Sequence, residues 1–162
     1  KGNLLKARLM SAAEVNFILA EAAQRGWNVG NAQTHYNNAV KASFDAWGIS
    51  SAYTAYISQE KVKYDGTLKQ LMEQKWISSW NAAAQSWFDY RRTGYPELQP
   101  GTQAVRKAIP LRFFYMLDER NLNKVNADAA MSRMELTPFS GPEGGNSAWS
   151  KMWVLQGTGK PW

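Results

Sequence analysis

The first clear pattern in the chain is a set of apolar residues at helical spacing near its start. Ser11 and Glu14 form a capping box, in which each side chain can satisfy a free backbone N–H at the beginning of a helix. The apolar positions that follow, at i, i+3, i+4 and i+7, are Val15, Ile18, Leu19 and Ala22. Because Gly26 can adopt the left-handed conformation that ends helices, the pattern predicts a first helix over residues 11–25.

A second helical pattern follows after a short connection. Asn31 is a favourable N-cap, and Gly48 is a favourable stop. Between them, one helical face carries Tyr36, Val40, Phe44 and Trp47. The pattern predicts a second helix over residues 31–47, and the short connection at residues 26–30 requires the two helices to lie antiparallel.

This predicted helix pair is similar to a tetratricopeptide-like unit. Leu19 occupies the leucine position of such a repeat, and its small and aromatic positions are occupied by Ala20, Ala32, Ala39 and Tyr36. Asn16 and Phe44 depart from the repeat at the positions of its first Trp and its closing Pro. An ordinary helical hairpin therefore stays open as the alternative.

Two further helices are predicted in the middle of the chain. Thr67 and Gln70 form a second capping box, and the apolar face behind it carries Leu68, Leu71, Met72, Trp76 and Trp80. After a break near residues 78–81, a fourth helix is predicted over residues 82–92, where Trp87 shares a face with Ala84 and is expected in the core. Arg91 and Arg92 in its last turn oppose the negative helix end, and Gly94 and Pro96 terminate it.

The remainder of the chain predicts mostly irregular structure. Pro100 and Gly101 form a turn, a short helix is predicted over residues 126–134, and residues 138–146 predict a loop. The tail should dock on the helices through Trp149, Trp153, Val154 and Trp162. The predicted organisation is helical hairpins over residues 1–95 and a loop-rich segment over residues 96–162.

Composition limits the possible classes of protein. The 162 residues are 44% hydrophobic and include eight Trp, seven Tyr and six Phe, which is typical of a globular chain with an aromatic-rich core or ligand surface. The absence of cysteine excludes disulfides, thiolate catalysis and cysteine zinc sites. The net charge of +6 is dispersed in pairs without a nucleic-acid motif, so it indicates solvated surface. Residues 1–16 do not form a signal peptide, and no apolar run is long enough to span a bilayer.

The residues that could carry chemistry form no catalytic signature. The single histidine, His35, has no carboxylate or second histidine at helical spacing, so a structural role and no metal site are predicted. Glycine motifs for nucleophile elbows, phosphate loops and dinucleotides are absent. A glycoside hydrolase needs two carboxylates, and the candidates are Asp89, Glu97, Asp118 and Glu119. Because Asp89 lies near Arg91 and Arg92, an ion pair at the helix end is its expected role.

Several of these segments together resemble the C-terminal part of the SusD/RagB family. The most specific is Arg91–Gly94 with Pro96, and residues 8–26, 36–40, 73–76 and 109–126 also resemble family segments. Met116 departs from the family, which often has Pro there, and the tail at residues 149–154 matches only loosely. The resemblance implies a mainly α, SusD-like fold with tetratricopeptide-like helix pairs. It also implies packing roles for Trp76, Trp80, Trp87, Arg91 and Arg92.

The resemblance further implies a function. SusD-like proteins are non-catalytic cell-surface proteins that bind oligosaccharides or other nutrients for a TonB-dependent outer-membrane transporter, without a cofactor. They are held at the outer membrane by a lipid anchor, which is expected upstream of Lys1, together with most sugar-contacting aromatics. If this chain carries a site of its own, the first candidates are tryptophans outside the helical stripes: Trp27, Trp149 and Trp153. A helical-repeat protein-interaction module and a glycoside hydrolase stay open as alternatives.

Overall fold

The computed structural model describes residues 9–157, and its regular structure is helical. The helices are α1 (Ala12–Gln24), α2 (Ala32–Trp47), α3 (Tyr53–Ile57), α4 (Leu68–Ser78), α5 (Ala83–Thr93), α6 (Leu117–Leu122) and α7 (Lys124–Ser132). Three short 3-10 turns lie at Ser50–Ala52, Gly141–Asn146 and Trp153–Leu155. The one β-type pairing recorded within residues 9–157 is an isolated antiparallel bridge between Glu135 and Lys151. The predicted mainly α fold is confirmed.

The predicted helix starts and stops are confirmed by hydrogen bonds at the caps. The Ser11 hydroxyl accepts from the Glu14 N–H at 3.0 Å, and Asn31 Oδ1 accepts from the Thr34 N–H at 2.9 Å. Gly48 ends α2 with a left-handed φ of 72°, a conformation that a residue with a Cβ adopts only with strain. These helix ends follow from local chemistry alone, which explains why the sequence predicts them well.

The helices α1 and α2 form the predicted antiparallel hairpin, with α4 packed against both. Ala20 and Ala39 are fully buried, so the two helix backbones can approach closely. Phe17 and Tyr36 are also fully buried, and their rings meet edge to face with centroids 6.2 Å apart. Small residues set the helix spacing, and this aromatic pair fills the core between the helices.

The buried face of α1 differs from the predicted stripe. Val15 and Ile18 are 39% and 44% exposed, whereas Ala13, Phe17 and Ala20 are buried. The helix is apolar over a wide arc, so helical period alone cannot choose between the two faces. Packing selects the face with the large ring of Phe17, because its burial removes more apolar surface from water.

The segment between α2 and α4 is held by polar side chains. Tyr36 donates its hydroxyl hydrogen to the Val62 carbonyl. Thr67 caps α4 as predicted, accepting from the Gln70 N–H at 3.2 Å. The Gln70 side chain accepts from the Asp65 N–H at 2.8 Å and donates to the Lys63 carbonyl. Gln70 thus fastens the preceding turn to the start of α4.

The described chain divides into two compact units that part between Tyr90 and Arg91. The predicted organisation, with its change at residues 95–96, stays a prediction. The helix predicted over residues 126–134 is found slightly earlier, as α7, and the short helices α3 and α6 were not predicted. Both α3 and α6 are only one to two turns long and bury no residue completely, so they leave little periodic signal in the sequence. Within residues 9–157 no helix combines the length and apolar character needed to cross a bilayer.

The second unit is organised around a buried arginine. Arg112 is 5% exposed and donates to the carbonyls of Gly145 and Ser147 at 3.1 and 3.2 Å. Its guanidinium carbon lies 4.9 Å from the ring centroid of Tyr115, and burial lowers the pKa of Arg112. The Leu111 N–H donates to the Ala148 carbonyl at 2.7 Å. These bonds tie the segment around Arg112 to the tail.

The tail is held mainly by polar groups, not by the apolar docking that the sequence predicts. Trp153 and Val154 are 85% and 60% exposed, whereas Ser147, Ser150 and Leu155 are buried. The segment predicted as a loop over residues 138–146 contains 3-10 turns at Gly141–Asn146. The fourth residue of the predicted docking set, Trp162, lies outside the described residues.

Candidate functional site

A cavity of about 380 Å³ lies among α1, α2, α3 and α4 in the first unit. Its walls are predominantly aromatic and aliphatic, and include Phe17, Val40, Phe44, Trp47, Ile77 and Trp80. The volume and lining are typical of a small-molecule site, which is usually apolar with a few polar groups. The cavity arises because Phe44 and Trp47, in the second half of the apolar stripe of α2, lie beyond the closely packed part of the hairpin.

Two tryptophans form one side of this cavity. The rings of Trp47 and Trp80 lie with centroids 5.0 Å apart and planes inclined by 37°. Trp80 is 59% exposed, so a large part of its ring is accessible to solvent at the cavity. An accessible indole ring is suited to stacking against a flat apolar surface of a ligand.

The cavity also contains a buried polar pair. Tyr56 donates its hydroxyl hydrogen to Gln74 Oε1 at 2.8 Å, and Gln74 is only 6% exposed. Among the described residues, the Gln74 amide nitrogen has no hydrogen-bond partner, and neither has the Ser43 hydroxyl in the same wall. The cavity therefore offers two unused hydrogen-bonding groups in an apolar setting.

The tryptophans predicted as ligand contacts lie in different surroundings. Trp27 follows α1 in the first unit and is 67% exposed. In the second unit, Trp153 is 85% exposed, whereas Trp149 is half-buried. Trp149 Nε1 donates to the Ala108 carbonyl at 2.8 Å, and the Arg106 guanidinium carbon lies 4.4 Å from the ring centroid. Trp27 and Trp153 thus offer more ring surface to a ligand than Trp149.

The Arg106 that stacks on Trp149 is itself fixed. Its Nη2 donates to both carboxylate oxygens of Glu143, at 2.8 and 2.7 Å, and its Nη1 donates to the Ser147 hydroxyl at 3.1 Å. The hydrogen bond from Arg106 lowers the pKa of Glu143. This arrangement holds the Trp149 ring in place and occupies one of its faces.

Two of the four carboxylates considered for hydrolysis have structural partners that are known. Asp89 pairs with Lys75, with Oδ2 and Nζ 2.7 Å apart, and Glu119 accepts from Asn123 Nδ2 at 2.7 Å. His35 Nε2 is 2.7 Å from the Val29 carbonyl oxygen, which is the structural role predicted for it. Within the described part of the chain, no group of three or more His, Asp or Glu side chains could hold a metal ion.

Comparison with known proteins then decides the family. Residues 3–116 match the SusD-like family described as "Starch-binding associating with outer membrane". The chain belongs to the SusD-like family. The predicted family resemblance is thereby confirmed, and no curated protein matches the sequence.

Solved structures agree with the assignment of this SusD-like chain. A SusD-like protein of the Bacteroidetes matches with 28% identity and a TM-score of 0.76, over 95% of this chain and 32% of that chain. A SusD-like protein from Bacteroides thetaiotaomicron matches with 28% identity and a TM-score of 0.73, over 93% of this chain and 37% of that one. A chitin-binding SusD homolog from Flavobacterium johnsoniae matches with 28% identity and a TM-score of 0.72, over 91% and 36%. The chain thus spans about a third of the length of these structures.

The residues of the SusD-like chain that match family motifs differ in how deeply they are buried. Arg91 Nη1 lies 3.3 Å from the Leu111 carbonyl oxygen, to which it donates, and burial lowers the pKa of Arg91. Trp87, expected in the core, is half-buried. Trp76 and Trp80, expected to pack, are 43% and 59% exposed. Because α4 ends at Ser78, Trp80 lies beyond the helix, where its ring contacts Trp47 at the cavity.

Sequence reasoning missed the cavity as a site. In the sequence, Phe44 and Trp47 indicate only the end of a core stripe, and Gln74 belongs only to a segment that resembles the family. Trp47 and Trp80 are far apart in the chain, and packing of α4 on α2 brings them together. One signal is available in the sequence. The helix α2 is longer than its partner α1, so the last apolar residues of its stripe extend beyond the hairpin.

Proposed function

We propose that this chain is part of a non-catalytic protein that binds oligosaccharides at the cell surface. The observation that carries the proposal is the apolar cavity beside the accessible Trp80, in a chain of a family described as starch-binding. A sugar ring has an apolar face of C–H groups that can stack on indole, while its hydroxyls face solvent or polar side chains. A chitin-binding relative supports the same class of ligand.

The wider role follows the family. The whole protein would be attached to the outer membrane by a lipid anchor upstream of Lys1 and would pass its ligand to a TonB-dependent transporter. The family description, which includes association with the outer membrane, supports this location. In this role the protein needs no cofactor and no turnover.

Exposed tryptophans outside the cavity are proposed as additional contacts. Trp27 and Trp153 have most of their ring surface accessible, which suits stacking on a longer glycan. Trp149 is retained as a weaker candidate, because Arg106 already covers one of its faces.

Isothermal titration against a panel of soluble polysaccharides and their oligosaccharides tests the proposal. Binding should be measurable for at least one glycan and should weaken about tenfold in Trp80→Ala, which corresponds to about 1.4 kcal/mol of lost stacking. Absence of binding across the panel at millimolar concentrations would contradict the proposal.

The hydrolase alternative is tested in the same samples by measuring release of reducing ends. No release is expected, because Asp89 is engaged with Lys75 and Glu119 with Asn123. Release that is abolished by Glu119→Gln would replace the binding function by glycoside hydrolysis.

A protein-interaction module is the second candidate function. Large apolar residues around α6 and α7 are highly exposed, with Phe113 at 82%, Leu122 at 89% and Val125 at 81%. Exposed apolar groups of this kind favour contact with a protein. Sedimentation velocity of the chain and of Leu122→Ser/Val125→Ser distinguishes the two. Unchanged sedimentation together with glycan binding supports the first function, and loss of self-association in the variant supports the second.

A further inference from the structure

We propose that a polar cleft next to the cavity is a second sugar subsite, in which Glu14 selects against glycans that carry carboxylate groups. This inference rests on the proposed glycan-binding function and adds to it a second site and a residue that determines specificity. It is carried by the position of the cleft beside Trp80, by the side chains that line the cleft, and by the sign of its charge.

The cleft and the cavity are neighbours in the first unit. The cleft has a volume of about 250 Å³ and lies where α1 begins, α4 ends and α5 begins. Ser78 lines both sites. Ser79 and Asn81 line the cleft, and Trp80 between them lines the cavity. The cleft is smaller than a typical site for a complete ligand, so it suits a single sugar ring next to a ring that stacks on Trp80.

The walls of the cleft offer both acceptors and donors of hydrogen bonds. Glu14 contributes a carboxylate, which only accepts, whereas Asn81 and Gln85 contribute amides, which accept and donate. Within residues 9–157 these three side chains make no hydrogen bond or ion pair with another residue. Glu14 is half-buried, and Asn81 and Gln85 are exposed, so all three can meet a ligand. Because a sugar hydroxyl both donates and accepts, the hydroxyls of one ring match this set.

The charge of the cleft is opposite to that of the whole chain. The net charge of +6 would by itself attract acidic glycans. Among the described residues that line the cleft, however, Glu14 is the one charged side chain. A carboxylate of the ligand in the cleft would meet Glu14 at short range, where repulsion exceeds the screened attraction of distant lysines and arginines. Glu14 thus supplies the repulsive element that a selective site needs.

An uncharged sugar benefits from the same carboxylate. A hydroxyl that donates to an ionised carboxylate makes a charge-assisted hydrogen bond, which is roughly twice as strong as a bond between neutral groups. Glu14 therefore favours a neutral ring and disfavours an acidic ring at the same position. The expected preference for the neutral glycan is about tenfold or more.

Isothermal titration with matched pairs of tetrasaccharides tests the inference. The neutral probes are maltotetraose and cellotetraose, and the acidic probes are the glucuronic acid tetramers with the same linkages, which differ from them only at C6. For a linkage that binds, the neutral tetramer should bind about tenfold more tightly than the acidic one. Equal or tighter binding of the acidic tetramer would overturn the inference and leave glycan binding intact.

Variants that change the charge of the cleft locate the preference. Glu14→Gln keeps an acceptor oxygen and removes the charge, so the acidic tetramer should bind about tenfold more tightly than to the natural chain. The neutral tetramer should bind at most about fivefold more weakly, because the charge-assisted hydrogen bond is lost. Glu60→Gln is the matched control, since Glu60 is exposed in the first unit, lines neither site and carries the same charge. This control should keep the full preference.

A second variant acts if Glu14→Gln does not fold, as judged from its thermal melting curve. Gln85→Lys places a cation in the cleft at an exposed helix position, and should also strengthen binding of the acidic tetramer about tenfold. An unchanged preference in both cleft variants, or an equal loss in Glu60→Gln, would overturn the inference.

The two proposals fail in different ways. If neither neutral tetramer binds, the second subsite is overturned, while glycan binding is contradicted only if the whole polysaccharide panel also fails to bind. Trp80→Ala should weaken both members of a pair, since both would stack on the same ring. Binding of the tetramers that depends on Glu14 and is unchanged in Trp80→Ala would separate the cleft from the cavity and overturn the inference.

Discussion

The ammonium nitrogen of Lys75 lies 2.7 Å from a carboxylate oxygen of Asp89, and the two side chains are only 8% and 17% exposed. This ion pair joins α4 to α5 within the first unit. It also changes the interpretation of Asp89, which sequence reasoning weighed as a catalytic acid and expected to pair near the end of its own helix. A carboxylate fixed by a buried ammonium is a structural element.

Breaking this pair should destabilise the first unit. Asp89→Asn leaves the Lys75 charge buried without its carboxylate and is expected to lower the free energy of unfolding by about 3 kcal/mol. Urea denaturation of the single variants and of Lys75→Met/Asp89→Leu measures the effect. The double variant should be more stable than Asp89→Asn, and a double variant that is less stable would contradict the assignment.

The buried face of α1 gives a second prediction. Phe17→Ala removes a fully buried ring and should lower the free energy of unfolding by about 3 to 5 kcal/mol. Val15→Ala, on the 39% exposed face, should lower it by less than about 1 kcal/mol. Thermal denaturation compares the two, and equal losses would show that the face predicted from the sequence is buried as well.

A close approach in the second unit makes Gly145 sensitive to substitution. A Cβ at this position would lie 2.0 Å from the Met131 carbonyl oxygen, so Gly145→Ala forces the loop and α7 apart. The expected destabilisation is about 3 kcal/mol. At Gly101 a Cβ would meet no atom within 4 Å, so Gly101→Ala serves as the control and should stay within about 0.5 kcal/mol of the natural chain. Denaturant midpoints that do not differ between the two variants would refute this.

The stability of the chain should depend on pH in the alkaline range. Burial, with smaller contributions from Tyr56 and Asp65, raises the pKa of Tyr36, and burial likewise raises the pKa of Tyr53 and of Tyr90. The pKa of these tyrosines is therefore higher in the folded state than in the unfolded state. Their contribution to the free energy of unfolding is complete below pH ~10 and is lost progressively as the pH rises above it.

Tyr36→Phe isolates the contribution of the most buried hydroxyl. The variant lacks the ionisable group, so its free energy of unfolding should fall less between pH 9 and pH 11 than that of the natural chain, by roughly 1 kcal/mol. At pH 7 it should be less stable by about 1 kcal/mol, since the Val62 carbonyl loses its donor. If the free energy of unfolding falls by the same amount in both proteins between pH 9 and pH 11, Tyr36 is not the source of the alkaline loss of stability.

Local chemistry explains the parts of the fold that the sequence predicted. The caps at Ser11, Asn31 and Thr67 act through atoms within three residues, so a short motif contains all the necessary information. The buried face of α1 depends instead on which neighbours pack against it. Periodicity gives the width of an apolar arc, and only the contact with α2 selects Phe17 over Ile18.

The candidate site was less predictable for the same reason. Gln74 and Ser43 are ordinary polar helix residues in the sequence, and their position in the cavity wall follows only from the packing of α2 and α4. Trp80 was assigned to packing because it continues the α4 periodicity, yet the helix ends before it. Of the three tryptophans predicted from the sequence, Trp27 and Trp153 are exposed, because turns and irregular segments leave large side chains uncovered, whereas Trp149 is half-buried.

The Trp47 and Trp80 pair also has an optical consequence. Two indole transitions 5.0 Å apart and inclined by 37° couple as an exciton, which gives a pair of circular dichroism bands of opposite sign. The intensity depends steeply on the distance and angle of the two rings. A molecule that enters the cavity and turns Trp80 would therefore alter this signal directly, so the chain contains an unlabelled spectroscopic reporter of its own occupancy.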